Sequence, residues 1–308
     1  MRSVVLAALA FLWAPAALAQ VPPDIVAQLR AIGPKVDTEH TAAIYAPLQP
    51  LRPAGLAFDR DVSYGSDPKQ TLDVVYPANV RRAPVLIYMH GGGFVAGDKT
   101  RNGKGEMWPF SDNVMAWAAD HGMVGVNMNY RLAPGATYPA AQQDLAAVIA
   151  WVRDNIARYG GDPRTVFAWG HSAGAAHVAS YVAHPDLWSV EGGGLKGAIM
   201  TSGMYDLTLL PKQAKVYFGD PEMLEQRSAK AGLLKTKVPL FLASGELDVD
   251  WAAGQYASMR EALCAEDRCP PGGVMKNESH MSQTYSVGTK DLTVSGPVLA
   301  FIEAHEGK

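Results

Sequence analysis

Cysteine is nearly missing from this chain, and so are basic runs, internal repeats and low-complexity linkers. Only Cys264 and Cys269 occur in 308 residues, with no histidine close to either. A structural zinc site needs four nitrogen or sulfur ligands, so a thiolate metal centre is excluded. Lysine and arginine number 27 against 30 aspartates and glutamates, a formal net charge of −3. That balance, without clustering, provides no footprint for nucleic acid or an anionic membrane surface. What is present, 48% apolar and 19% charged residues, is the make-up of a folded globular protein. One domain of catalytic size is the simplest account of the length.

The first twenty residues, "MRSVVLAALAFLWAPAALAQ", differ from the rest. Arg2 precedes an apolar run over residues 4–13, Pro15 breaks it, and Ala17 and Ala19 come just before Gln20. The run is too short to span a bilayer, and small residues at these two places suit a signal-peptidase groove. The reading is a signal peptide over residues 1–19, cleaved after Ala19, and a mature chain that is secreted or periplasmic without stable membrane insertion. Export places Cys264 and Cys269 in an oxidising compartment, where an even count favours one disulfide. So small a loop stabilises a fold by only about 2 kcal/mol.

Residues 20–55 are rich in Pro and Ala, with two amphipathic stretches (25–32 and 39–46) expected to form short helices over the main body. Strand-like runs follow at 56–64, 71–76 and 84–90. Strands and helices then alternate: strands at 123–130, 165–170, 197–203, 238–245 and 272–280, and helices at 139–159, 173–183, 251–263 and 293–305. Repeated βα units predict an α/β fold, a mostly parallel sheet with helices on both faces, preceded by an antiparallel strand or two. The expected organisation is a leader (1–19), a cap-like helical segment (20–55) and a catalytic domain (56–308).

Two stretches carry candidate chemistry. "GHSAG" (170–174) sets Ser172 between glycines at the end of an apolar strand and the start of a helix. A sharp strand-to-helix turn lifts the hydroxyl above the sheet edge, beside a helix N-terminus that favours negative charge. A serine N-cap explains the residue but not the bracketing glycines. "HGGGF" (90–94) follows another buried strand. Three glycines in a row have no packing value, so they imply backbone N–H groups aimed into a cavity. Acyl transfer needs such donors for its tetrahedral oxyanion, and Gly91, Gly92 and Ala173 are the candidates.

In order along the chain, "HGGGFVAGDK", "NYRLAP", "YPAAQQDLAAVIAWV", "YGGDP" and "GHSAGAAHVASY" resemble the hormone-sensitive-lipase-like and carboxylesterase branch of the α/β-hydrolase superfamily. The resemblance spans roughly residues 56–305. It implies an α/β-hydrolase fold with an eight-stranded, mostly parallel sheet and a Ser-Asp-His triad in that chain order. The segment 99–112 is longer than the branch usually has, and 20–55 carries none of the motifs of the resemblance.

The histidines after Ser172 are His177, His184, His280 and His305. His177 and His184 belong to the helix leading away from the serine and His305 to the closing helix, so His280, in the polar loop "NESHMS", is the expected base. Glu246, Asp248 and Asp250 end the preceding strand; the branch's G-x-x-D pattern implies Asp248 as the acid, with Asp206 in "SGMYDL" as runner-up. Arg131 is expected to pair with Asp98 or Asp144 and to buttress the glycine loop. Trp108, Phe110, Trp188 and Tyr205, with Tyr217 and Phe218, lie on loops expected at the carboxyl edge of the sheet and are candidate substrate-pocket residues. The implied activity is hydrolysis of a small carboxylic ester, short-chain or water-soluble because no strongly apolar lid is evident, with no metal or organic cofactor. Amide or formamide hydrolysis at the same triad and a catalytically silent binding module on the same fold are the alternatives.

Overall fold

The strand-like runs of the sequence join into one sheet. In the computed structural model, which describes residues 21–50, 55–99, 109–209 and 215–307, its strands are β1 (Leu56–Ser63), β2 (Thr71–Pro77), β3 (Ala83–Met89), β4 (Val124–Met128), β5 (Gly161–His171), β6 (Gly197–Thr201), β7 (Leu240–Leu247) and β8 (Gly272–Ser279). The expected leader and its cleavage site lie outside the described residues, as does Trp108. The strand order is β1-β2-β4-β3-β5-β6-β7-β8. β2 runs antiparallel to both β1 and β4, and every later pairing is parallel.

Side chains on a strand alternate between faces, and both faces here are buried. Val85, Ile87, Val166 and Ala168 point into one core, which Leu145 and Val148 of α4 (Ala140–Asn155) and Val178 of α5 (Ala173–Ala183) complete. Leu86, Tyr88, Phe167 and Trp169 point into the other, under Val114 and Met115 of α3 (Pro109–Asp120) and Val298 and Ile302 of the closing helix, Ser295–Glu306. Continuous apolar runs are therefore what these central strands need. β5 starts earlier than the apolar pattern suggests, because Gly160 ends the preceding helical turn at φ 83° and Gly161 already pairs with Ala83.

The order of strands fixes where a site forms. From β3 the chain moves outward to β4, then returns to place β5 on the other side of β3. Connections on opposite sides leave a crevice at the carboxyl ends of β3 and β5, the switch point of an open α/β sheet. "HGGGF" follows β3 and Ser172 follows β5, so both motifs open onto that crevice.

α1 (Pro23–Ile32) and α2 (Thr38–Tyr45), the two expected N-terminal helices, pack as a third small core with Phe110 and Tyr285. Fully buried Asp73 on β2 pairs with Arg60 at 2.7 Å and Lys99 at 2.6 Å, and Arg60 also pairs with Asp112 at 2.6 Å. Both ends of the 99–112 segment are thus tied to the first hairpin. Cys264, in the last turn of the helix Asp250–Ala265, forms a disulfide with Cys269 just beyond it. No helix among the described residues is long and apolar enough to cross a membrane.

Candidate active site

Ser172 takes φ 55° and ψ −118° as β5 turns into α5. Such a backbone costs a non-glycine residue about 1–3 kcal/mol and persists only where the surroundings enforce it. The neighbouring glycines are required by space. A Cβ on Gly170 would lie 2.3 Å from the carbonyl oxygen of Gly174, and one on Gly174 would lie 2.1 Å from that of Met89. Strand, turn and helix are packed backbone to backbone.

The turn aims Ser172 Oγ at His280, whose Nε2 is 3.0 Å away, and His280 Nδ1 lies 2.7 Å from Asp248 Oδ1. The three residues come from the ends of β5, β7 and β8 and meet only through the parallel order of the sheet. All three are nearly buried. His280 sits on a short turn closed by Ser279 N–H donating to Ser282 Oγ at 2.7 Å and Ser282 N–H donating back to Ser279 Oγ at 3.3 Å.

Asp248 has the best-supplied carboxylate in the molecule's crevice. Oδ1 also accepts from the N–H of Val249 at 2.8 Å. Oδ2 accepts from Ser202 Oγ at 2.5 Å, Ser244 Oγ at 2.9 Å, Gln283 Nε2 at 3.1 Å and Gly245 N–H at 3.2 Å. Burial alone raises its pKa, but the bond and charge of His280, with the hydroxyls of Ser202 and Ser244, more than offset that. The net result is a pKa far below the ordinary carboxylate range, so Asp248 stays ionised.

The glycine loop stands opposite. Gly91 touches the serine turn, since a Cβ on it would meet Ser172 Cβ at 3.2 Å. Gly92 has φ 134°, and a side chain there would collide with the carbonyl oxygen of Ala96 at 1.9 Å. Ala173 is the first residue of α5. Behind the loop, His90 stacks on Tyr130 with centroids 4.5 Å apart, and the Tyr130 hydroxyl donates to the His90 carbonyl at 2.7 Å. Arg131 pairs with Asp144 at 2.7 Å, while Asp98 is engaged by Lys69 at 3.0 Å. The "NYRLAP" stretch thus supports the loop from below.

Ser172, His280, Gly91 and Gly92 border a cavity of about 550 Å³ whose walls include Val36, Thr38, Phe110, Trp251, Met281 and Tyr285. Phe110 is where the sequence led, in face contact with Tyr285 at 4.0 Å between centroids. Four pocket candidates, Trp188, Tyr205, Tyr217 and Phe218, need correction. Trp188 lines a separate cavity of about 600 Å³ with Leu195, Val238 and Pro239, residues that precede β6 and β7. It therefore lies at the amino edge of the sheet, its indole N–H bound to the Tyr181 carbonyl at 2.8 Å. Tyr205 is fully buried and forms part of the core behind β6. Tyr217 and Phe218 likewise pack on Phe94 inside that core, with centroids 5.5 and 5.3 Å away. Asp206 bonds Thr208 and lies 3.5 Å from Lys230, a structural turn away from His280.

Ser202, Ser244 and Gln283 were not legible as site residues. "SGMYDL" drew attention to Asp206, whereas the residue that reaches the triad is the serine at its start. Among the described residues no group of three or more His, Cys, Asp or Glu side chains could hold a metal ion.

Comparison with known proteins agrees with this geometry. Residues 72–187 match the BD-FAE family model. The chain is 30% identical over 228 residues to esterase LipQ of Mycobacterium tuberculosis, covering 66% of this chain and 52% of LipQ. It is 32% identical over 160 residues to the para-nitrobenzyl esterase of Bacillus subtilis, covering 46% and 30% of the two chains. The chain thus spans about half, or less, of the length of these relatives. In three dimensions it superposes on esterase B from Lactobacillus rhamnosis with a TM-score of 0.73 at 18% identity, over 92% of this chain and 96% of that one. By strand order and superposition the chain has the α/β-hydrolase fold, and the relatives it is similar to in sequence are esterases.

Proposed function

We propose that the protein is a serine hydrolase of carboxylic esters that works through an acyl-enzyme. The observation that carries this reading is the unbroken chain Ser172–His280–Asp248, at 3.0 and 2.7 Å, on a strained turn that faces a glycine loop. His280 Nε2 takes the Ser172 proton as Oγ attacks the ester carbonyl, then gives it to the departing alcohol. Water activated by the same nitrogen hydrolyses the acyl-enzyme. Ionised Asp248 holds the other ring N–H and stabilises the imidazolium. The N–H groups of Gly91, Gly92 and Ala173 receive the oxyanion, each such donor contributing roughly 3 kcal/mol in the transition state.

The cavity walls support a short or water-soluble ester, and Val36 and Thr38 support a share of the pocket for the 20–55 segment. The disulfide supports the reading of the first nineteen residues as an export signal. The test is hydrolysis of p-nitrophenyl esters from acetate to palmitate by residues 20–308, beside Ser172→Ala. Turnover greatest on short chains and absent from the variant is expected. Activity that survives Ser172→Ala removes the serine from the mechanism, and cleavage of anilides in place of esters moves the reading to amide hydrolysis.

A further inference from the structure

His171 stands directly before the nucleophile, yet the reaction just described gives it no task. The residue is only 2% exposed and still lines the cavity that holds Ser172. Nε2 lies 2.8 Å from the carbonyl oxygen of His280. A carbonyl can only accept, so Nε2 carries the proton. Burial, together with the proximity of His280, lowers the pKa of the ring to about 3 and keeps it neutral. Nδ1 is therefore an unprotonated acceptor. The free ring nitrogens of His90 and His177 are sealed inside the protein. Nδ1 of His171 is different: no donor among the described residues meets it, and it stays open beside Gly91, 3.3 Å from where a Cβ on that glycine would sit.

Position decides what such an acceptor can do. The departing alcohol must receive its proton from His280 Nε2, so the alcohol half of an ester lies along the His280 ring. The His171 ring is 4.8 Å from that ring, centroid to centroid. An alkyl group in this place leaves Nδ1 dry and unpaired, which a hydrogen-bond donor would correct.

We infer that His171 determines specificity: Nδ1 accepts a hydrogen bond from a hydroxyl or amine on the alcohol half of the substrate, next to the ester oxygen. The preferred substrates are then esters of alcohols that carry a second O–H or N–H, over simple alkyl esters of the same size. This rests on the esterase reading above.

The test compares kcat/KM for 2-hydroxyethyl butyrate and n-propyl butyrate, which differ by a hydroxyl in place of a methyl. The wild type should favour the hydroxyethyl ester by roughly tenfold. His171→Gln keeps a donor long enough for the His280 carbonyl but sets no acceptor at the Nδ1 position, so the ratio should fall to near one. His171→Asn sets an oxygen at the Nδ1 position and loses the long reach, so the ratio should persist while the rates on both esters fall. Loss of folded or properly assembled protein cancels in each ratio. Equal rates on both esters in the wild type overturn the inference, as does a preference that survives unchanged in His171→Gln. Hydrolysis of p-nitrophenyl butyrate with neither alkyl ester cleaved also overturns it alone. Failure on all three esters overturns the esterase reading with it.

Discussion

Two buried carboxyl groups lie close to His280 along the chain or in space, and their surroundings move their pKa values in opposite directions. Asp248, at the end of β7, receives hydrogen bonds from Ser202, Ser244, Gln283, His280 and two backbone N–H groups, and is held well below the ordinary carboxylate range. Glu278, two residues before His280 on β8, is more deeply buried but poorly supplied. Ser282 donates to one oxygen, and the other meets no partner among the described residues. Burial first, then the negative charge of Asp291, pushes its pKa well above the usual value. Asp291 is itself buried and takes a hydrogen bond from Tyr45 of α2 at 3.3 Å. The comparison teaches that burial raises both carboxyls, and that only around Asp248 do His280 and the hydroxyl donors reverse the shift. One carboxyl is prepared to stay an anion facing an imidazolium, and the other, under the turn that carries the imidazole, is biased toward its protonated form.

The largest way to break the comparison is to neutralise the group built to be charged. Asp248→Asn should fold and lower kcat by about 10⁴-fold, because the amide neither fixes the His280 tautomer nor stabilises its cation. Steady-state kinetics beside a thermal melt separate this from unfolding, and activity within tenfold of wild type removes Asp248 from the triad.

Glu278→Gln tests the neutral partner. The fold favours the protonated acid, while the unfolded chain gives up that proton above the ordinary glutamate value of about 4.3. Stability of the wild type should therefore fall as pH rises from 5 toward 9, and the glutamine variant should lack that slope. Urea unfolding at the two pH values measures it. Parallel behaviour of the two proteins means that Glu278 is ionised in the folded state.

A smaller effect sharpens the other side. Ser202→Ala strips one hydroxyl from Asp248 Oδ2 and should raise the depressed carboxylate pKa. A lowered pKa contributes stability that is present above the unfolded value and lost as pH falls through the folded one. The acid-unfolding midpoint, followed by tryptophan fluorescence, should move to higher pH in the variant. A midpoint that stays in place assigns the ionised state of Asp248 to His280 and the remaining donors alone.

Residues that follow from local chemistry could be read directly from the chain. The glycines of "GHSAG" and "HGGGF" are demanded by a turn and by close backbone approach, both events within a few residues. Apolar runs without alternation announced strands covered on both faces. The aromatic residues were harder, because a loop aromatic carries no mark of which edge of the sheet its loop occupies. Phe110 belongs to the crevice, whereas Trp188 occupies the opposite edge and Tyr205 the core. Ser202 and Gln283 lie 46 and 35 residues from Asp248, and nothing local distinguishes them from other small polar side chains.

The sequence by itself determined the sheet-and-helix alternation, the strained serine turn, the glycine loop and the family they resemble, because each is written in contiguous residues whose backbone requirements are local. Only the tertiary structure decided which carboxyl has its pKa lowered and which has it raised, which nitrogen of His171 is bare and which aromatics wall the cavity. Those properties depend on donors, charges and free space brought from distant strands to a single crevice, and distance along the chain carries no record of them.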